Sequence, residues 1–266
     1  MPKLHTNGID LYYEITGAGE PLVLIAGLGY SSLMWHKMVP GLTQHFQVIT
    51  FDNRGVGETD KPAGPYTAQM LADDTAGLLT ALGISRAAIL GHSMGGFIAQ
   101  HLTLRHPPLV RKLVLVSTSA GGATHVKPAP EIAALLIRDP NEAIETRVRR
   151  ARSMVTGPGF AETHPEDIAR AIEHAFRFPM SPEAYLRQLG AVETHFNRGT
   201  RARLSEIRVP TLVIHGDCDP LVPYPNGQVL AAEIPGAKFL TLPGVGHLPH
   251  VEAAEQFNRA VMEFLG

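Results

Sequence analysis

Apolar positions along the chain change period several times, and each change marks an element. From Ile9 to Thr16 the residues Ile9, Leu11, Tyr13 and Ile15 fall on one face at period two, a strand entered through an Asn7-Gly8 hairpin turn. Pro21 to Ala26 is a continuous apolar run, the pattern of a strand covered on both faces. It ends in Gly27-Leu28-Gly29, after which Ser31 or Ser32 caps a helix carrying Trp35, Met38 and Leu42. Further strands are predicted at Phe46 to Phe51, Ala87 to Leu90 and Leu113 to Ser117. Helices fall between them, over Thr67 to Leu82 and from the glycine-rich segment after Leu90 to about His106. This alternation predicts right-handed crossover units and a mostly parallel sheet with helices on both faces.

After about Gly121 the strand runs stop. Helical patterns cover Glu131 to Ile137, Glu142 to Met154, Pro165 to Arg177 and Pro182 to Thr194. Strands resume at Thr211 to His215 and Lys238 to Leu242, with a last helix from about Val251 to Leu265. Chain on both sides of the helical stretch reads as one sheet. Residues 1–121 and 206–266 are therefore expected to form one α/β core, and residues 122–205 a helical lid inserted before the penultimate strand.

Composition narrows the partners. With 44% hydrophobic and 18% charged residues, the 266-residue chain reads as soluble and globular, long enough for a large core. Lys and Arg number 23 against 25 Asp and Glu, a formal charge of −2 that offers no basic excess to nucleic acid or an anionic membrane. The single cysteine, Cys218, cannot form an intramolecular disulfide and points to a reducing compartment. No apolar run reaches the roughly 18 residues of a membrane span, and the N-terminus lacks a signal-peptide pattern. A cytoplasmic protein acting on a small molecule is expected, with monomer and homo-oligomer both open.

One constellation carries chemistry. Gly91-His92-Ser93-Met94-Gly95 matches G-x-S-x-G, and it follows a predicted buried strand and opens a predicted helix. A serine at such a strained turn needs glycine two residues to either side, where side chains would collide. The hydroxyl then needs a base, and the base an orienting carboxylate. Gly216-Asp217-Cys218-Asp219 follows the penultimate strand and Gly244-Val245-Gly246-His247 the last, so acid and base each leave a strand's C-terminal edge. Asp219 is preferred over Asp217, which also suits a turn, and His247 over His250, which starts the last helix. An oxyanion hole needs two backbone N–H donors. Met94, after the serine, offers one, and Leu28 in the first glycine loop the other.

These residues resemble the α/β-hydrolase family over nearly the whole chain. Phe51-Asp52-Asn53-Arg54-Gly55-Val56-Gly57-Glu58-Thr59-Asp60 is similar to that family's F-D-x-R-G-x-G-x-S-D loop, with threonine at position 59 in place of serine. The resemblance implies an architectural role for Arg54, the acid role for Asp219 in G-x-x-D, and the base role for His247 in the Gly246-His247 loop. Ala26-Gly27 stands where many relatives have His-Gly, which leaves a backbone donor intact. Gly-His-Ser-Met-Gly-Gly with Gly27-Leu28-Gly29 and Trp35 looks most like the carboxylesterase and 3-oxoadipate enol-lactonase-like branch. Serine at position 93 argues against the haloalkane dehalogenase and epoxide hydrolase branches, which use aspartate there.

The expectation is a serine hydrolase, without cofactor or metal, cleaving a small carboxylic ester or lactone through an acyl-enzyme. A C–C bond hydrolase or perhydrolase using the same triad is the alternative enzyme, and a non-catalytic ligand receptor the alternative of another class. Tyr30, Met34 and Trp35 are expected to line the substrate pocket near the serine, and Phe176, Phe178 and Phe196 to close over it. Arg147, Arg149, Arg150 and Arg152 suggest an anion clamp. They alternate around a helix that also bears Glu142 and Glu145, which favours a solvated face.

Overall fold

The chain opens with β1 (Lys3–Thr6) and β2 (Ile9–Thr16), joined by Asn7 and Gly8 at φ 47° and 73°, the positive angles a two-residue hairpin turn requires. Then come β3 (Glu20–Ile25), α1 (Val39–Leu42), β4 (Phe46–Phe51), α2 (Ala68–Ala81), β5 (Ala87–His92), α3 (Met94–Arg105) and β6 (Val110–Val116). In this computed structural model, which describes residues 2–139 and 141–266, the described residues between β6 and β7 hold helices and no strand. They are α4 (Pro130–Ala133), α5 (Ile144–Val155), α6 (Phe160–Thr163), α7 (Pro165–Arg177) and α8 (Pro182–Arg198). The chain closes with β7 (Thr211–Gly216), α9 (Pro225–Glu233), β8 (Lys238–Leu242), α10 (Pro249–Glu252) and α11 (Ala254–Leu265).

Among the described residues, eight strands share one sheet in the order β1-β2-β4-β3-β5-β6-β7-β8. The β1–β2 and β2–β4 pairs are antiparallel; every other pair is parallel. Alternation along β3 shows why the central strands read as unbroken apolar runs. Val23 and Ile25 pack with Leu78 and Leu79 of α2 and Ile98 and Leu102 of α3, while Leu22 and Leu24 face the opposite layer with Phe257 and Val261 of α11. Thr67 starts α2 by accepting the Met70 N–H at 3.1 Å, an N-cap that satisfies one free donor. Arg54, buried, donates two hydrogen bonds to the Asp74 carboxylate at 2.8 and 2.6 Å, pinning the loop after β4 to α2.

Several elements differ from expectation. The helix after Ser31 is two pieces, a 3-10 turn at Ser32–Trp35 capped by Ser31 and the short α1. Pro40 lacks the N–H a continuous helix would need there. The last helix is likewise broken at Ala253. There Glu252 turns back to accept the N–H groups of Leu248, Gly246 and Gly157 at 2.9, 2.8 and 2.7 Å, binding α10 to the loop that carries His247.

Candidate active site

β5 delivers Ser93 in a conformation rare for a residue with a side chain, φ 55° and ψ −119°, directly before α3. Its N–H is held by the Val116 carbonyl at 2.9 Å. The flanking glycines are forced by backbone. A Cβ on Gly91 would meet the Gly95 carbonyl oxygen at 2.2 Å, and one on Gly95 the Ile25 carbonyl oxygen at 2.1 Å. Such a backbone position costs about 1–3 kcal/mol and persists only where its surroundings hold it.

The loop after β7 buries Asp219. Its Oδ1 accepts the N–H groups of Leu221 and Val222, both at 2.9 Å, and its Oδ2 faces Nδ1 of His247 at 2.9 Å and Nε2 of His215 at 3.3 Å. Burial pushes the Asp219 carboxyl up, but the attraction of His247 and the hydrogen bonds from His215 and His247 outweigh it and hold it below the usual carboxylate range. Asp217 is exposed and accepts the Gly244 N–H at 2.7 Å, a turn contact. His247 itself is fixed at its main chain: its N–H donates to the Val155 carbonyl at 2.7 Å, and its carbonyl accepts from His92 Nε2 at 2.7 Å. His250 is buried behind this group, its ring 4.8 Å from that of His92 and 5.1 Å from that of Trp35. Burial, then the neighbouring His247, lowers His92 to about 3, so its imidazole is neutral.

Ser93, His247, Leu28 and Tyr30 all line one cavity of about 620 Å³, within the range of roughly 300–1,000 Å³ usual for small-molecule sites. Phe178 and Phe196 contribute to its wall. The N–H of Gly29 goes to Gln188 Oε1 at 3.0 Å. Among the described residues those of Leu28 and Met94 have no protein acceptor.

Three expected pocket residues lie elsewhere. Trp35 is fully buried in the core layer that holds α11 and the central strands, its ring 5.1 Å from that of His250. Met34 borders a smaller adjoining pocket of about 210 Å³, which Tyr30 also lines. Phe176 is 57% exposed, on the side of α7 opposite the cavity-lining Ala175 and Phe178.

The four arginines of α5 divide. Arg149 and Arg150 pair with Glu145 and Glu142, each at 2.8 Å, whereas Arg147 and Arg152 line the cavity. The signal that separates them is phase. Ile144, Arg147, Val148, Ala151, Arg152 and Val155 all line the cavity at three- and four-residue spacing, one face of a helix. Arg138, which sequence reasoning did not single out, lines it too. Among the described residues no group of three or more His, Cys, Asp or Glu is placed to hold a metal ion, and no helix is long and apolar enough to cross a membrane.

A sequence model described as the alpha/beta hydrolase fold matches residues 20–254. The chain belongs to the α/β-hydrolase fold family. A relative from Azorhizobium caulinodans named "Putative carbamate hydrolase RutD" is 32% identical, the match covering all of this chain and 98% of that protein. Among solved structures, the enol-lactonase from Burkholderia xenovorans LB400 superposes with a TM-score of 0.87 at 29% identity over 99% of both chains. A hydrolase from Pseudomonas aeruginosa PA01 does so with a TM-score of 0.85 at 34% identity, over 100% of this chain and 98% of that one. This α/β-hydrolase is thus a hydrolytic enzyme with esterase- and lactonase-like relatives.

Proposed function

We propose that this α/β-hydrolase cleaves a small carboxylic ester or lactone through an acyl-enzyme, with Ser93 as nucleophile, His247 as base and Asp219 as its orienting acid. The observation that carries the reading is the Asp219–His247 hydrogen bond, which holds an imidazole in the cavity onto which the strained Ser93 opens. Ser93 Oγ attacks the carbonyl carbon as its proton passes to His247 Nε2, and the oxyanion takes the N–H groups of Leu28 and Met94. His247 then protonates the departing alkoxide, leaving an acyl-serine. Water attacks the acyl carbon, giving its proton to His247, and collapse returns the proton to Ser93 and frees the acid. Asp219 fixes the tautomer in which Nδ1 carries hydrogen, so that Nε2 is free to accept. No cofactor or metal enters the scheme.

The helical segment 122–205 fits the role of a lid over a core formed by residues 1–121 and 206–266, since α5, α7 and α8 all contribute to the cavity wall. A small-molecule substrate and a cytoplasmic setting agree with the near-neutral charge and the single thiol. The test is a panel of aryl esters, lactones, carbamates and vinylogous diketones run beside Ser93→Ala. Turnover of esters or lactones is expected to fall by about 10⁶ in the variant if the triad acts as a unit. Retention of most activity by Ser93→Ala would overturn the mechanism, and faster cleavage of the diketones would move the enzyme to C–C bond hydrolysis. Tight ligand binding without turnover of any substrate would make it a receptor.

A further inference from the structure

Ester hydrolysis by a serine triad requires no arginine, yet three reach this cavity: Arg138, Arg147 and Arg152. Arg138 lies over the Tyr185 ring, 3.5 Å from its centre. Its Nη2 is 2.9 Å from where a Cβ on Gly29 would sit, so the guanidinium packs against the loop that carries Leu28. Arg152 lies 5.6 Å from the centre of the Tyr30 ring.

The cavity's own carboxylates form no ion pair with these cations, and Glu142 feels Arg147 only beyond pairing distance. Glu142 is held by Arg150 through two hydrogen bonds of 2.9 and 2.8 Å. Asp139 is exposed and accepts the Asn141 N–H at 2.8 Å. Among the described residues, no carboxylate comes within 4.0 Å of Arg138, Arg147 or Arg152. Cations gathered without a directly paired carboxylate in a partly apolar cavity repel one another and lose hydration, and a bound anion relieves both. Burial pulls the Arg138 guanidinium below the ordinary arginine value; Tyr185 acts against the fall and the like charge of Arg147 adds to it.

We propose that Arg138 and Arg147, with Arg152 beside them, bind an ionised carboxylate on the substrate. The preferred substrate is then an ester or lactone that carries a second carboxylate, remote from the bond that breaks. A guanidinium matches a carboxylate with two parallel N–H donors, and stacking on Tyr185 covers the face of the Arg138 fork while leaving its edge to donate. This assignment names the substrate class of the hydrolytic site proposed above and rests on that reading.

The experiment compares charged and neutral partners of one skeleton. Monoethyl adipate is run against diethyl adipate, which places the charge on the acyl side. The acetyl ester of a short hydroxy acid is run against that compound's own methyl ester, which places it on the alcohol side. The wild type is expected to favour the charged member of at least one pair, and the favoured pair reports the side. Arg138→Gln and Arg147→Gln are each expected to reduce that preference about ten- to a hundredfold, mainly through KM, as for loss of a charge-assisted hydrogen bond. Arg149→Gln, on the outer face of α5, should leave the ratio at the wild-type value. Because the ratio is taken within one variant, a change in folded fraction cancels.

No preference for either charged ester, or a ratio unmoved in both cavity variants, would overturn the proposal. Calorimetric titration of Ser93→Ala with monoethyl adipate and with the acetylated hydroxy acid separates it from the hydrolytic reading. Arg138-dependent binding without turnover in the wild type upholds the anion site and defeats the hydrolase mechanism. Neutral esters cleaved with no binding of either charged ester do the reverse.

Discussion

His92 donates from Nε2 to the main-chain carbonyl of His247 across 2.7 Å, so the residue before the reactive-serine candidate holds the loop of the candidate base. The His92 ring is neutral, and its Nδ1 has no partner among the described protein atoms, lying against Gly27, where a Cβ would come within 3.2 Å. His92 therefore acts as a strut between the elbow and the histidine loop. In His92→Phe the ring volume stays and the donor goes. We expect kcat to fall about 10- to 100-fold with little change in KM, the scale of a base displaced by a fraction of an ångström up to about 1 Å. Steady-state kinetics on a variant with a wild-type circular dichroism spectrum measure it, and an unchanged kcat would remove the strut from the mechanism.

The two aspartates after β7 offer a sharper contrast. Asp219 receives His247 Nδ1, while Asp217 receives the Gly244 N–H at the surface. Asp219→Asn should lower kcat by about 10⁴, because an amide can stabilise the wrong imidazole tautomer and cannot balance the imidazolium. Asp217→Asn should turn over near the wild-type rate. Equal losses in the two variants would show that the acid has been misassigned.

Buried imidazoles also give the fold a pH dependence. Burial lowers His92 and His195 to about 3 and His101 to about 4, against about 6.5 in an unfolded chain. Between these values the unfolded state binds protons that the folded state refuses. Stability is thus complete above about pH 6.5 and is lost as pH falls, toward about 4 for His101 and toward about 3 for His92 and His195, each contributing up to about 1.4 kcal/mol per pH unit. The depressed Asp219 adds a loss in the same direction below about pH 3.8, where the unfolded carboxylate protonates. Urea unfolding should show an uptake of up to about three protons from these histidines near pH 5. A flat stability across the window would mean that these rings are not held neutral.

How much of this could be read from the chain depended on how many constraints each residue answers to. The strand at Pro21 to Ala26 was legible because both of its faces are buried, and the elbow because Gly91 and Gly95 have backbone where a Cβ would go. β1 escaped notice because Lys3-Leu4-His5-Thr6 has a single apolar residue, and α9 because Pro225-Asn226-Gly227 reads as a turn. Four arginines alternating around a helix with two glutamates read as a solvated face, whereas the helical phase divides them between surface and cavity. Arg138 has no local signal. Its position follows from Tyr185 and Gly29, residues distant in sequence that only the folded chain brings to it.

The pairing of β6 with β7 has a consequence for the birth of the molecule. Leu113 to Val116 lie beside Thr211 to Ile214, and residues 117–210 must be synthesised between them. At about 5–20 residues per second, the ribosome leaves the outer edge of β6 bare for about five to twenty seconds. Val114 and Val116 flank that open row of backbone donors and acceptors, which makes the nascent chain a template for stray strands. Chaperone cover in that interval, rather than the stability of the finished fold, is where the yield of this protein would be decided.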